Sequence, residues 1–301
     1  MDLRTPGPWR HRDISANGIR LHIAEAGEGP LVVLLHGFPQ LWWMWRHHIP
    51  ALAKAGYHVV APDLRGFGGS DKPPRSYDLI TVAGDLAGLI RALGEHRAAV
   101  VGHDIGGLVG WTAAATHPEL ISGLCAISAP HPSRLRAEIV RNRHQRNALG
   151  HLYRSQLPRA PESRLTKNHA AEVDRLMRKW SGAQWRTTTD FALAVSVYRE
   201  AMCLPQSAYG AAEYFRWMMR SLVRSDGASY QRAMRPRLSA PVLQLHGDAN
   251  PMLLASTAAG SQSYTAGAYQ LEMLTGIGHF VPEEAPEAVA AALVPWLAEL
   301  S

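Results

Sequence analysis

The sequence predicts an α/β protein with a mostly parallel sheet and a helical segment inserted into it. Short, continuous apolar runs recur along the chain, as expected of strands that are buried on both faces of a sheet. Helical stretches separate these runs, and such alternation is typical of a parallel sheet with helices on both faces. The alternation stops for about a hundred residues and then resumes, which predicts the insertion.

The predicted elements follow from local patterns. Asn17-Gly18 lies between two segments of alternating polarity, which predicts an antiparallel hairpin. Apolar runs predict buried strands at residues 31–35, 57–61, 98–101, 124–127 and 242–245. Helical patterning covers residues 80–93, 106–116 and 285–300.

The alternation of strand-like and helical segments, and its interruption, divide the chain into a core and an insert. We expect residues 1–130 and 238–301 to form the core domain, and residues 131–237 to form a helical lid after the sixth strand. The insert carries 20 Lys and Arg residues against 8 Asp and Glu residues, whereas the whole chain has a net charge of +6. A solvated helical surface accounts for this charge, and weak association with an anionic membrane surface is the alternative.

The composition argues against a membrane-spanning, a secreted or a nucleic-acid-binding protein. No segment approaches the run of about 18 apolar residues that spans a bilayer, and Met1 to Pro6 lack the apolar core of a secretory signal. The two cysteines, Cys125 and Cys203, are predicted to be reduced, so we expect a cytoplasmic protein. Nothing in the chain matches a nucleic-acid-binding module.

A tight turn at residues 102–107 carries an aspartate, Asp104, at its tip. A β-like run precedes the turn and a helix-compatible stretch follows it, as in a strained strand–turn–helix elbow that presents a nucleophile. Gly102 and Gly106 leave the space that such a turn needs. This context predicts that Asp104 is a nucleophile rather than an ordinary turn residue.

An aspartate nucleophile restricts the chemistry. If a carboxylate attacks an acyl carbon, it forms a reactive mixed anhydride, whereas attack on an sp3 carbon gives an ordinary ester that water can cleave. Asp104 therefore favours the opening of an epoxide or the displacement of a halide over lipase or peptidase activity.

With these elements in place, the chain resembles the α/β-hydrolase superfamily and, within it, the epoxide hydrolases of the actinobacterial type. The resemblance covers nearly the whole chain. The segments that carry it are His36-Gly37-Phe38-Pro39, Asp63-Leu64-Arg65-Gly66-Phe67-Gly68-Gly69-Ser70-Asp71-Lys72-Pro73, Gly102-His103-Asp104-Ile105-Gly106-Gly107 and Gly276-Ile277-Gly278-His279-Phe280. It implies an α/β-hydrolase fold with an eight-stranded sheet and an inserted lid.

The resemblance also implies a mechanism. Asp104 would attack an epoxide carbon to form an alkyl-enzyme ester, and His279 would activate the water that cleaves this ester to release a vicinal diol. The backbone N–H groups of Phe38 and Ile105 would hold the oxyanion. The implied substrate is a small-molecule epoxide, with no metal or organic cofactor. The oligomeric state stays open, a homodimer being one alternative.

The resemblance also implies a third catalytic residue, an acid that pairs with His279. At this position the sequence departs from the family pattern. The usual position, three residues after the glycine that ends the seventh strand, holds Asn250. An asparagine orients a histidine by a hydrogen bond but provides no charge for an imidazolium. Asp248 is the alternative partner of His279.

The residues of the lid also depart from the family pattern. The family places two tyrosines over the nucleophile, where they donate hydrogen bonds to the epoxide oxygen. Here His151 falls near the first position and Phe215 at the second, and phenylalanine cannot donate. The candidate donors are His151, Tyr214 and Tyr153, and we expect Trp42, Trp43 and Phe215 to line the pocket.

Two further functions compete with epoxide hydrolysis. A haloalkane-type dehalogenase shares the aspartate nucleophile, but Ile105 has no side-chain donor for a halide. A slow or degenerate hydrolase that binds a lipid-like ligand, or stalls at the covalent ester, is consistent with Asn250 and Phe215.

Overall fold

A computed structural model describes residues 3–300 of the chain. Met1 and Asp2, part of the N-terminal stretch on which the predicted cytoplasmic location depends, lie outside the described residues, as does Ser301. No helix within residues 3–300 combines the length and the apolar character needed to cross a bilayer.

One eight-stranded sheet forms the centre of the molecule. Its strands are β1 (Arg10–Ala16), β2 (Ile19–Ala26), β3 (Leu31–Leu35), β4 (His58–Pro62), β5 (Ala98–His103), β6 (Ile121–Ile127), β7 (Val242–Gly247) and β8 (Tyr269–Leu274). They are ordered β1-β2-β4-β3-β5-β6-β7-β8, and β2 pairs antiparallel with both β1 and β4. The other pairs are parallel, so the predicted fold class is confirmed.

The hairpin between β1 and β2 forms where the sequence predicts it. Asn17 and Gly18 have φ angles of 48° and 77°, so both central residues of the turn are left-handed. Two-residue turns of this kind match the twist of the flanking strands, and Asn-Gly adopts them at little cost.

The sheet is flanked by helices, and a run of them interrupts it between β6 and β7. The helices are α1 (His48–Lys54), α2 (Leu79–Ala92), α3 (Ile105–Thr116), α4 (Pro132–Arg141), α5 (Arg143–Ala148), α6 (Gly150–Arg154), α7 (Ala160–Trp180), α8 (Thr189–Met202), α9 (Ser207–Arg220), α10 (Ser225–Ala233), α11 (Ala255–Ala259), α12 (Val281–Glu284) and α13 (Pro286–Ala298). Helices α4 to α10 fall within the segment that we expect to form the lid.

The parallel strands bring functional residues to one edge of the sheet. Strands β3, β5 and β7 are buried along their whole length, in agreement with their continuous apolar sequences. Phe38, Asp104, Ser128 and Asn250 each follow the carboxyl end of a neighbouring strand. In parallel sheets ligands bind outside these carboxyl ends, so the topology alone directs attention to this edge.

A buried ion-pair network joins the insert to the core. Arg46 donates to Glu283 at 2.7 Å and, through its other terminal nitrogen, to both carboxylate oxygens of Asp190 at 2.7 and 2.8 Å. Tyr198 and Gln40 also donate to Glu283, at 2.6 and 2.5 Å. Because Glu283 lies four residues after His279, the network fixes the loop that carries this histidine.

Replacing Glu283 by glutamine should destabilise the protein by about 2 kcal/mol. A glutamine accepts the bonds from Arg46 and Tyr198 through a neutral oxygen, and its NH2 group then faces the donating Nε2 of Gln40, so a buried donor loses its partner. Urea unfolding followed by tryptophan fluorescence measures the effect. The exposed Glu287→Gln is the matched control, and equal midpoints for the two variants would contradict the prediction.

Candidate active site

Asp104 lies at the tip of a strained turn between β5 and α3. Its φ and ψ are 50° and −116°, a conformation that side-chain-bearing residues rarely adopt. The turn also requires close backbone approach, because a Cβ atom on Gly37 would lie 2.6 Å from the Asp104 Cβ. A Cβ on Gly106 would lie 2.4 Å from the carbonyl oxygen of Leu35. The predicted elbow is therefore present, with its carboxylate facing the pocket.

Backbone donors hold one oxygen of this carboxylate. The N–H of Phe38 donates to Asp104 Oδ2 at 3.1 Å. Burial raises the pKa of Asp104 to about 6, while the N–H groups of Phe38 and Ile105 oppose that rise. The structure thus brings together the predicted nucleophile and both predicted oxyanion donors, and it leaves Oδ1 as the oxygen nearer to His279.

His279 is fully buried and faces the nucleophile. Its Nε2 lies 3.9 Å from Asp104 Oδ1 and has no hydrogen-bond partner within residues 3–300. Burial, followed by repulsion from His103, His246 and His151, lowers the pKa of His279 well below its usual value. The imidazole is therefore neutral, as a general base must be before it acts.

The partner of the His279 ring is Asn250. Its amide nitrogen Nδ2 lies 3.2 Å from His279 Nδ1. Its oxygen Oδ1 accepts the backbone N–H groups of Met252 and Leu253 at 3.0 and 3.2 Å. Exchanging the two amide atoms would point NH2 at two N–H donors, so these contacts fix the orientation of the side chain.

This orientation determines the tautomer of His279. The Asn250 amide is a donor at Nδ2, so His279 Nδ1 accepts the hydrogen bond and the ring proton resides on Nε2. A histidine that removes a proton from water near Asp104 needs a lone pair on Nε2 instead. The hydrogen bond from Asn250 therefore favours the tautomer of His279 that cannot act as the base.

Asp248 is not the partner of His279, so this alternative prediction is wrong. Its side chain is exposed, and its Oδ1 accepts the backbone N–H of Gly276 at 2.7 Å. Asp248 stabilises the turn that leads into the histidine loop. The residue at the usual acid position, Asn250, contacts the ring.

Of the predicted lid donors, the structure brings only His151 to the pocket above Asp104. Its ring contacts Trp180 and Phe215, and burial lowers its pKa to about 3, so it is neutral. Tyr214 is a correction, because its buried hydroxyl donates to the carbonyl oxygen of Arg65 at 3.1 Å. Tyr153 is a second correction, because it is 42% exposed and does not line the pocket.

Among the aromatic residues predicted for the pocket, Phe215 lines it and the two tryptophans do not. Trp42 is fully buried and packs against Trp9 at a ring distance of 5.3 Å. Trp43 lies under the guanidinium group of Arg46, 3.8 Å from it. The prediction for Trp42 and Trp43 is wrong because residues Trp42–Trp45 form a short 3-10 helix that is buried in the core.

The sequence analysis missed two neighbours of His279. Trp180 lines the pocket, and its carbonyl oxygen accepts the backbone N–H of His279 at 2.8 Å. Ser128 donates its hydroxyl to the His279 carbonyl oxygen at 2.8 Å. Neither residue belongs to a motif, although the place of Ser128 just after β6 is a signal that sequence alone offers.

The described residues include no group of three or more His, Cys, Asp or Glu side chains arranged to hold a metal ion. The polar side chains that line the pocket are Asp104, Ser128 and His151. This set offers the predicted nucleophile, Asp104, and one side-chain donor, His151, that forms no hydrogen bond with another described residue.

The sequence profile of the α/β-hydrolase fold family matches residues 30–286. The chain belongs to this family. As an α/β-hydrolase, it is 36% identical to the AB hydrolase superfamily protein YfhM of Bacillus subtilis, with 72% of this chain and 76% of YfhM covered. It is 33% identical to epoxide hydrolase A of Mycobacterium tuberculosis, with 98% of this chain and 99% of the relative covered.

The fold of this α/β-hydrolase is also that of a solved relative. The crystal structure of epoxide hydrolase A from Mycobacterium thermoresistibile superposes with a TM-score of 0.81 at 30% identity, covering 96% of this chain and 98% of the other. The predicted resemblance to the epoxide hydrolases is thereby confirmed, and the chain is a hydrolase.

Proposed function

We propose that this hydrolase opens epoxides to vicinal diols through a covalent ester on Asp104. The observation that carries the proposal is a carboxylate at the elbow tip with one oxygen bound by Phe38 N–H and the other directed toward His279. Two relatives that match along nearly the whole chain are named epoxide hydrolases. The proposal also identifies Asp104, His279 and His151 as the reacting groups.

In the first step, Asp104 Oδ1 attacks an epoxide carbon, and the C–O bond of the ring breaks as the ester bond forms. The N–H of Phe38 remains on Oδ2, which becomes the ester carbonyl oxygen. The ring of His151 donates a hydrogen bond to the leaving epoxide oxygen as charge develops there, and this oxygen then takes a proton from solvent.

In the second step, water attacks the carbonyl carbon of the ester, and negative charge develops on Oδ2 between the N–H groups of Phe38 and Ile105. The bond from the carbonyl carbon to Oδ1 then breaks, and Oδ1 takes the proton that His279 has accepted from water, so Oδ1 leaves as a hydroxyl group of the diol. The oxygen of water stays in Asp104, whose carboxyl group releases its remaining proton to solvent. His279 must accept a proton from water at Nε2 in this step. Because Asn250 favours a proton on that atom, the second step is slow.

A single-turnover reaction in 18O-labelled water tests the proposal. Excess enzyme is mixed with styrene oxide, and the diol and the Asp104-containing peptide are analysed by mass spectrometry. We expect unlabelled diol in the first turnover and one 18O atom in Asp104. Label in the diol instead would mean direct attack by water and would contradict the covalent mechanism.

Asp104→Asn provides the matched control, because it preserves size and the Phe38 contact but removes the charged nucleophile. We expect neither adduct nor diol from this variant. Diol formation from Asp104→Asn at the wild-type rate would exclude Asp104 as the nucleophile.

The rate of ester formation should rise with pH and reach half its maximum near pH 6. Asp104 has a pKa raised to about 6, so below this pH it carries a proton and cannot attack. The pKa of His279 is lowered, so this group stays neutral over the same range. Rapid quenching followed by intact-protein mass spectrometry measures the profile, and a flat profile above about pH 5 would contradict the assignment.

A second candidate function is a slow hydrolase that retains its ligand as the ester. The specific observation that favours it is the donor contact from Asn250 to His279 Nδ1. In the labelling experiment this function predicts an Asp104 adduct that persists long after the epoxide is consumed. Diol release as fast as ester formation would exclude it.

A further inference from the structure

A second cavity adjoins the pocket above Asp104. The two share Phe38, His151 and Phe215 in their walls. The rings of Phe38 and Phe215 are 4.9 Å apart, and those of His151 and Phe215 are 5.4 Å apart. These three rings form a constriction between the reaction pocket and the second cavity.

The second cavity has an apolar wall and a basic rim. Its apolar residues beyond the constriction are Leu157, Ala160, Pro161, Leu165 and Leu176. Its charged residues are Arg154, Arg164, Arg175 and Glu172. We call this cavity the arginine vestibule. One carboxylate faces three guanidinium groups, so the vestibule has an excess of positive charge.

The excess charge resides on Arg154 and Arg164. Arg175 binds Glu172 through two hydrogen bonds of 2.6 and 2.7 Å. The side chains of Arg154 and Arg164 form no hydrogen bond or ion pair with any residue in the described part of the chain; both act on Glu172 through their long-range field, and Arg154 also acts on His151 in this way. That field and, above all, the bond from Arg175 lower the pKa of Glu172 and keep it ionised.

We propose that Arg154 and Arg164 form an anion subsite, and that the substrate is an epoxide with an anionic group at the far end of an apolar chain. The apolar chain passes the ring constriction along the leucine-lined wall, which places the epoxide at Asp104 and the anion at the rim. Guanidinium groups bind carboxylates through charge-assisted hydrogen bonds. The epoxide part of this inference rests on the proposed function, whereas the anion subsite does not.

Kinetics with a matched substrate pair test the subsite. An epoxide of a long-chain carboxylic acid is compared with its methyl ester, which differs only in charge at the far end. In the double variant Arg154→Gln/Arg164→Gln, kcat/KM for the acid should fall about tenfold through KM, while the ester is unaffected. Arg143→Gln, an exposed arginine of α5 outside the vestibule, is the control and should leave both substrates unchanged.

Binding without chemistry separates this inference from the proposed function. Saturated long-chain carboxylic acids and their methyl esters are titrated into the wild type and the double variant at low and high salt. We expect the acids to bind more tightly than the esters, by a margin that salt and the double substitution both remove. Binding of acids without turnover of any epoxide would preserve the subsite and reject the function.

Equal binding of acids and esters would overturn the subsite. So would an effect of Arg143→Gln as large as that of the double variant, because it would show that the general charge of the insert is responsible. Neither result would affect the turnover of neutral epoxides, so the proposed function would stand.

Discussion

Replacing Asn250 by aspartate should accelerate hydrolysis of the Asp104 ester by about 10²- to 10⁴-fold, the range associated with a triad carboxylate and its amide replacement. The wild-type side chain donates from Nδ2 to His279 Nδ1, so the ring proton is held on Nε2. An aspartate accepts at the same place, which moves the proton to Nδ1 and frees the lone pair on Nε2.

Two separate energies contribute to this gain. The base-competent tautomer in the wild type would place two donors 3.2 Å apart, and an unsatisfied buried donor costs about 1–3 kcal/mol. The imidazolium that forms when His279 takes the proton also has no carboxylate partner in this step, because Asp104 is esterified and therefore neutral. Asn250→Asp removes the first cost and supplies a charge for the second.

The substitution is compatible with the fold. Asn250 Oδ1 accepts the N–H groups of Met252 and Leu253, and an aspartate oxygen accepts them equally well. The contact from Nδ2 to Ser128 Oγ is long, at 3.5 Å, so its loss costs little.

Stopped reactions analysed by intact-protein mass spectrometry separate the two steps. In the wild type we expect the Asp104 adduct to accumulate at steady state, and in Asn250→Asp we expect ester formation at the same rate with little adduct. Asp248→Asn is the matched control, since its carboxylate contacts Gly276 rather than His279. Equal ester lifetimes in the wild type and Asn250→Asp would refute the tautomer argument.

Sequence patterns were sufficient to predict the sheet and the turn that carries Asp104. Continuous apolar runs and the Asn-Gly turn depend on local chemistry, and the strand order follows once the chain is related to its family. Asp104, Phe38 and Ile105 are positioned by backbone close to the strand ends. Their placement is therefore encoded in short segments and could be predicted.

The partner of His279 and the lid residues depend on contacts that are distant in sequence. Only the loop geometry at Met252 and Leu253 shows which atom of Asn250 faces the ring. Tyr214 and Phe215 are adjacent on α9, and their side chains point about 100° apart. An alignment error of one residue therefore assigns the core residue to the pocket and the pocket residue to the core. Packing against Arg65 selects Tyr214 for the core.

Replacing His151 by phenylalanine should slow ester formation by about 10²- to 10³-fold, the effect of removing one donor from a developing oxyanion. His151 lines the pocket with Asp104, and its ring nitrogens bind no other described residue. The second family position holds Phe215, which cannot compensate. Phenylalanine keeps a ring in contact with Trp180 and Phe215, so the walls of the pocket are preserved.

Whether a substitution of His151 slows ester formation or changes the lifetime of the ester shows whether His151 acts as a hydrogen-bond donor or through packing. His151→Phe should reduce the rate of ester formation and leave the lifetime of the ester unchanged, whereas Asn250→Asp changes only the lifetime. His151→Gln, which keeps an N–H donor, should recover part of the rate. Tyr153→Phe is the matched control on the same helix, because its exposed hydroxyl is remote from the pocket. If His151→Gln were as slow as His151→Phe and both had shortened ester lifetimes, His151 would act through packing rather than through donation to the epoxide oxygen.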